Sequence, residues 1–142
     1  MNVLTRTFKE GRTEVVRIVG GDFFEALQKV LEEKDIKMGK VSFIGSFKKV
    51  KVGYYDDKTQ SYVGIEFNEG PYEVIAGEGN ISMKDGKPFP HIHVALGDHQ
   101  GKMFGGHLME AEVLLVEMFI EVLEGQPLER KPDEETGLTI WK

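Results

Sequence analysis

Helical periodicity occurs in a single stretch of this sequence. Phe23, Leu27, Val30, Leu31 and Lys34 recur at helical spacing, Asp22 stands at an N-cap position, and Glu25 follows three positions later as in a capping box. The spacing predicts one main helix, from about Phe23 to Lys34. The other apolar segments are short β-branched or aromatic runs punctuated by glycine, so the crossover helices of a parallel sheet are missing. The predicted fold class is α+β, a mostly antiparallel β-sheet with one main α-helix. A doubly wound nucleotide fold is disfavoured.

The strand-like runs can be placed individually. Leu4 to Phe8 and Glu14 to Val19 read as a hairpin turned at Glu10-Gly11-Arg12. Val41 to Phe47 and Lys49 to Tyr55 follow the helix, and Asp56 to Gln60 is a turn before Tyr62 to Phe67. Pro71 to Met83 is extended, Lys84-Asp85-Gly86-Lys87-Pro88 carries an Asp-Gly turn signal, and Phe89 to Leu96 is the next strand. A tight turn at Gly97 to Gly101 leads to Lys102 to Leu108. Val113 to Leu123 is apolar enough for helix or strand, and its β-branched and aromatic content favours a long strand. On such a strand Glu117 and Glu121 share one face with Val113, Leu115, Phe119 and Leu123, a mixed pattern suited to a surface buried on oligomerisation. The apolar residues of Gly137 to Trp141 are expected to dock on the body. At 142 residues the chain has the size of one domain, taken as residues 1–142.

Composition narrows the chemistry. There is no cysteine, which excludes disulfides, iron–sulfur clusters, cysteine-type zinc fingers and cysteine nucleophiles. Any metal must be held by imidazole, carboxylate or backbone oxygen, and the chain has only 4 histidines. A formal charge of -6 disfavours nucleic acid, whose phosphates demand cations. The densest basic cluster, Lys48-Lys49-Val50-Lys51, puts only Lys49 and Lys51 on one strand face. No signal-like run opens the chain and no stretch approaches the ~20 apolar residues that span a bilayer. No membrane partner and a cytoplasmic location are therefore expected.

In His91-Ile92-His93-Val94-Ala95-Leu96 the core-type residues alternate with histidine, so both imidazoles share one strand face, about 6.5–7 Å apart. A turn centred near Asp98-His99-Gln100 sets His91 against His107 and His93 against Gly105. Three imidazoles then converge, the donor set of a zinc ion whose fourth position is left to water. An isolated His-x-His is usually a half-exposed polar face, and the third histidine moves the reading to a metal site at His91, His93 and His107, zinc or another divalent ion. Gly105 and Gly106 are read as leaving room for the ion and its substrate. His99 falls at the turn tip and is read as a surface residue. Glu73, Glu78, Glu110 and Glu112 are carboxylates within range of the site, and Glu73 is taken as general acid or base because its strand could lie beside the histidine strand. Gly77-Glu78-Gly79-Asn80-Ile81-Ser82 lacks the third glycine and following helix of a phosphate loop and reads as a strand.

Gly77 to Ser82, Pro90 to Leu96, Gly105-Gly106-His107-Leu108, Ala111-Glu112-Val113 and Thr136-Gly137-Leu138 together resemble the plant- and prokaryote-conserved domain family, also labelled DNA-binding, across nearly the whole chain. The resemblance implies a mostly antiparallel fold with one main helix, a homotrimer, and a three-histidine metal site mapping onto His91, His93 and His107. Plant members owe DNA binding largely to a preceding Arg-Gly-Arg-Pro element, which this sequence lacks. The family is similar in fold to acetolactate decarboxylase and to a human metal-dependent ester hydrolase, both of which hold zinc with His-x-His and a distant histidine. The expected function is thus a trimeric metal-binding protein, with hydrolase or lyase chemistry on a small molecule. The alternative is a DNA-binding or scaffolding module without catalysis.

Overall fold

The computed structural model describes residues 1–142. In chain order its elements are β1 (Lys9–Val19), α1 (Phe23–Glu33), β2 (Gly39–Asp56), β3 (Ser61–Phe67), β4 (Tyr72–Lys84), β5 (Lys87–Gly97), β6 (Met103–Glu124), β7 (Arg130–Pro132) and β8 (Thr139–Trp141). The expected α+β architecture is present: antiparallel strands around one helix.

Two long strands organise the sheet. β2 has 18 residues and β6 has 22, and each is shared among three partners. The six strands run in the order β1-β6-β5-β4-β2-β3, with β6 also bonded to β2, so that β2, β4, β5 and β6 form a closed ring. Closure leaves those four strands without a free edge, the strongest protection a sheet has against pairing with another chain. The sequence reading split β2 and β6 into two strands each; bulges keep both continuous. In β2 a register shift between Phe43 and Gly45 bends the strand, and a Cβ at Gly45 (φ +157) would lie 2.1 Å from Leu115 O.

A second bulge corrects the facing of β6. Ser46 pairs with Leu115 but Phe47 with Val113, so Leu114 is extra and the alternation reverses there. Val113 is therefore fully buried, whereas Leu115, Glu117, Phe119 and Glu121 face outward. The opening hairpin is also absent. β1 runs unbroken through Gly11 and Arg12, with a bulge between Glu10 and Thr13. A Cβ at Gly11 would sit 2.9 Å from Val122 O, so the glycine permits close backbone approach and makes no turn.

Helix α1 matches its sequence signals. The Asp22 side chain accepts a bond from Glu25 N at 2.8 Å, capping the first turn. Phe23, Leu27 and Leu31, four residues apart, are fully buried. Phe23 meets the rings of Phe43 and Phe47 on β2 at 5.2 and 5.7 Å between centroids. The remaining core comes from the inward residues of the ring strands, among them Ile81, Ile92, Leu96, Leu108 and Ile120. Because Ile92 and Val94 point inward, their neighbours His91 and His93 stand on the outer face. The Asp85-Gly86 turn has both residues at positive φ, the geometry that Asp-Gly favours. No helix is long and apolar enough to cross a membrane.

Candidate metal centre

His91 and His93 lie on β5 and His107 on β6. The ligand-capable atoms of the three side chains all lie within 4.8 Å of one another. Ring centroids are separated by 5.0 Å for His91 and His93, 5.3 Å for His91 and His107, and 5.5 Å for His93 and His107. Nitrogens on a tetrahedral zinc stand about 3.4 Å apart, so side-chain rotation is enough to close the set.

The register that produces this cluster differs from the expected one by two residues. His93 pairs with His107, Val94 with Gly106 and Ala95 with Gly105. Asp98 sets it: Asp98 N donates to Lys102 O at 2.9 Å, and the Asp98 carboxylate accepts from Gln100 N at 2.8 Å and Lys102 N at 2.9 Å. The loop is thereby centred on Gln100, with Gly101 at φ +77. His91 lies diagonal to His107 and His93 lies opposite it, so the three still converge. The glycines, by contrast, leave no ligand space. A Cβ at Gly105 would be 2.0 Å from Val94 O and one at Gly106 would be 2.6 Å from Gly53 O, so both allow β5, β6 and β2 to pack closely.

The electrostatics favour neutral imidazoles. Burial, followed by the positive Arg130 and then the other two histidines, holds His91 down to about 4. Burial, followed by His93, also lowers His107. An imidazole uncharged at neutral pH is ready to ligate without first losing a proton. His107 Nδ1 is buried and has no hydrogen-bond partner. Such an orphan costs on the order of 1–3 kcal/mol, and a lone pair shared with a cation removes that cost. Three imidazoles, one with an orphaned ring nitrogen, and no thiolate thus fit a borderline ion such as zinc, as well as copper, nickel or iron.

Several residues around the cluster escaped the sequence reading. Tyr62 on β3 lies 4.7 Å from the His107 ring centroid. Arg130 on β7 donates through Nε to Ser82 Oγ at 3.1 Å, through Nη1 to Thr139 O at 3.3 Å and through Nη2 to Asn80 Oδ1 at 2.9 Å, and Nη2 also stands 3.3 Å from His91 Nδ1. Since guanidinium only donates, His91 Nδ1 is the acceptor in this arrangement. Trp141 on β8 completes the group through Nε1 to Ser82 Oγ at 3.0 Å. The signal for Asn80 and Ser82 was their alternation on the strand read from Gly77 to Ser82; β7 and β8 are too short to announce themselves.

The four carboxylates fall differently from expectation. β4 does lie beside β5, but Glu73 pairs with Gly97 while Glu78 pairs with His93. Four residues of strand, about 13 Å, separate Glu73 from the His93 register. Glu78 is the carboxylate across from the histidines, and its Oε1 accepts from Ser42 Oγ at 3.0 Å. Glu112 and Glu110 pair instead with Lys49 and Lys51, away from the site. His99 is exposed and lies outside the cluster.

The fold has counterparts among solved structures. The metal-containing protein AF0104 of Archaeoglobus fulgidus is 41% identical, with 99% of each chain covered and a TM-score of 0.94. A plant- and prokaryote-conserved protein of Pyrococcus horikoshii is 38% identical over 99% of this chain and 97% of its own, with a TM-score of 0.92. A candidate DNA-binding protein of Bacteroides thetaiotaomicron shares the fold at 23% identity, covering 96% of this chain and 98% of its own, with a TM-score of 0.84. No curated protein matches the sequence. Residues 5–124 match the family model of the Plants and Prokaryotes Conserved domain, so the chain belongs to that family.

Proposed function

We propose that this chain is a homotrimeric metal-binding protein in which His91, His93 and His107 hold one divalent ion, zinc by preference, with hydrolase or lyase chemistry on a small molecule. The observation that carries the reading is three imidazoles on one face with donor atoms within 4.8 Å, one of them a buried nitrogen without a partner. That AF0104 is a metal-containing protein at 41% identity supports it. With three protein ligands, such an ion keeps a position open and supplies Lewis acidity there. Around that position the chain contributes neutral imidazoles, the half-buried cation Arg130 and the carboxylate Glu78 across from His93. Glu78 is better placed than Glu73 to move a proton.

Self-association has its own support. On the outward face of β1, β6 and β2, Val15 pairs with Phe119 and Val19 with Leu115, while Ile44 stands beside Glu117. All five apolar side chains are exposed, Val15 to 71% and Phe119 to 54%, with the charged pair Arg17 and Glu117 between them, a mixed surface of the kind that association buries.

The test is metal content. Protein purified without chelator is expected to carry about one metal per chain by plasma emission spectroscopy, and His93→Ala to carry less than a tenth of that while keeping its fold. A wild-type chain without stoichiometric metal, even after incubation with zinc, overturns the proposal. The DNA-binding alternative gains nothing from the charge pattern, since Lys49 and Lys51 face Glu112 and Glu110. An electrophoretic shift at low salt that disappears as salt rises would move the assignment to it.

A further inference from the structure

We propose that the cavity beside the three histidines is a binding site for a small organic carboxylate, recognised by Arg130 and Lys84. The cavity measures about 370 Å³ and is walled by Tyr55, Tyr62, Lys84, His91, His107 and Arg130, with Leu138 and Ile140 supplying apolar surface. At ~30 Å³ per water molecule it holds roughly a dozen non-hydrogen atoms. It contains two cations and no carboxylate in a chain with 24 acidic residues and a net charge of -6. That local reversal of sign is what an anion site requires.

Arg130 is built in rather than left on the surface. Its guanidinium is 5.1 Å from the Trp141 ring and 5.7 Å from the Phe89 ring, and Lys84 Nζ lies 4.8 Å from the same Phe89 ring. Its contacts are all to neutral acceptors: Ser82, Thr139, Asn80 and His91. Neither Arg130 nor Lys84 takes part in an ion pair. A half-buried cation fixed by neutral groups lacks the counter-charge that burial calls for, and a ligand carboxylate provides it. Carboxylate is preferred over phosphate because the cavity has no helix N-terminus to offer converging backbone N–H groups. The apolar wall fits a short carbon skeleton.

The inference deepens the reading of the metal centre, because His91 and His107 line both. The experiment separates them by using metal-free protein first. Trp141 is the only tryptophan, and its indole contacts Ser82 in the Arg130 network, so in metal-free protein its indole N–H resonance reports on the Arg130 end of this cavity. Butyrate, its neutral isostere butyramide and inorganic phosphate are titrated in turn. The expected result is a saturable shift with butyrate at millimolar concentration and none with butyramide. Lys84→Gln should weaken butyrate binding three- to tenfold with the fold unchanged, and Arg130→Gln should abolish it. No saturable shift with butyrate, an equal shift with butyramide, or a response to phosphate alone overturns the proposal. Zinc uptake, measured afterwards by adding zinc to a separate portion of the same metal-free protein, reports the metal centre independently.

Discussion

At the scale of the residue, His107 combines its proposed ligand role with a structural cost. Its Nδ1 is buried without a partner while its ring stacks beside Tyr62. An apolar ring of similar shape keeps the stacking and removes the orphan. His107→Phe is therefore expected to lose metal yet leave the metal-free protein as stable as wild type or more stable, by up to about 1 kcal/mol in urea unfolding; a loss beyond about 1 kcal/mol contradicts this. Asp98 has the opposite character. Backbone bonds from Lys102 and Gln100 hold its carboxyl below the usual range. A carboxylate with a depressed folded pKa stabilises fully above its unfolded value and loses that contribution as pH falls through the folded one. Asp98→Ala should lower the melting temperature at pH 7, with the difference shrinking as pH drops below about 4. A difference that persists unchanged to pH 2 rules out this account. His91, His93 and His107 were legible as a group because their type and alternation are local. Arg130 was not, since it meets His91 only through a contact 39 residues away along the chain.

At the scale of the element, the long strands and the helix differ in how openly the sequence declares them. Asp22, Glu25 and the fourfold spacing of Phe23, Leu27 and Leu31 marked α1 in full. β2 and β6 were broken in the reading because their bulges look like ends. At Leu114 the extra residue reverses the inside–outside alternation, and no local pattern tells a bulge from a turn. The register of the β5–β6 hairpin was misjudged for a related reason: a side chain, Asp98, centres the loop, where turn statistics alone place it one residue earlier. Glycine meaning is equally contextual. A Cβ on Gly79 would lie 2.1 Å from His91 O, so β4 and β5 meet there only through glycine. Gly79→Ala should destabilise the fold by roughly 1–3 kcal/mol and loosen the histidine strand, seen as a lower unfolding midpoint and weaker zinc retention. Unchanged values for both count against close approach as the role of this glycine.

At the scale of the whole molecule, closure of β2, β4, β5 and β6 gives the histidines a rigid base. Metal ligands on paired strands of a closed sheet are held more accurately than ligands on loops. The outward face of β1, β6 and β2 carries the exposed apolar side chains that the proposed association would cover. The wild-type chain is expected to sediment as a trimer. Phe119→Lys, replacing the exposed aromatic opposite Val15 by a charge, should shift the mass toward one chain in light scattering; a wild-type monomer removes the trimer from the proposal. Fold class was readable from the sequence because it depends on counts and periods. Ring closure was not, since it depends on β2 and β6 finding one another across separations of 54 (Gly53 to His107) to 83 (Gly39 to Val122) residues.

The short hairpin of β7 and β8 carries Arg130, Thr139 and Trp141 and lies beyond residues 5–124, the stretch that matches the shared family pattern. The three imidazoles lie within that stretch, as do Tyr55, Tyr62 and Lys84 of the cavity wall, whereas Arg130, Leu138 and Ile140 lie beyond it. Substitutions in this hairpin are accordingly expected to change what the cavity admits while leaving the three histidines in place, so that entry to the site and the donor set can be perturbed separately.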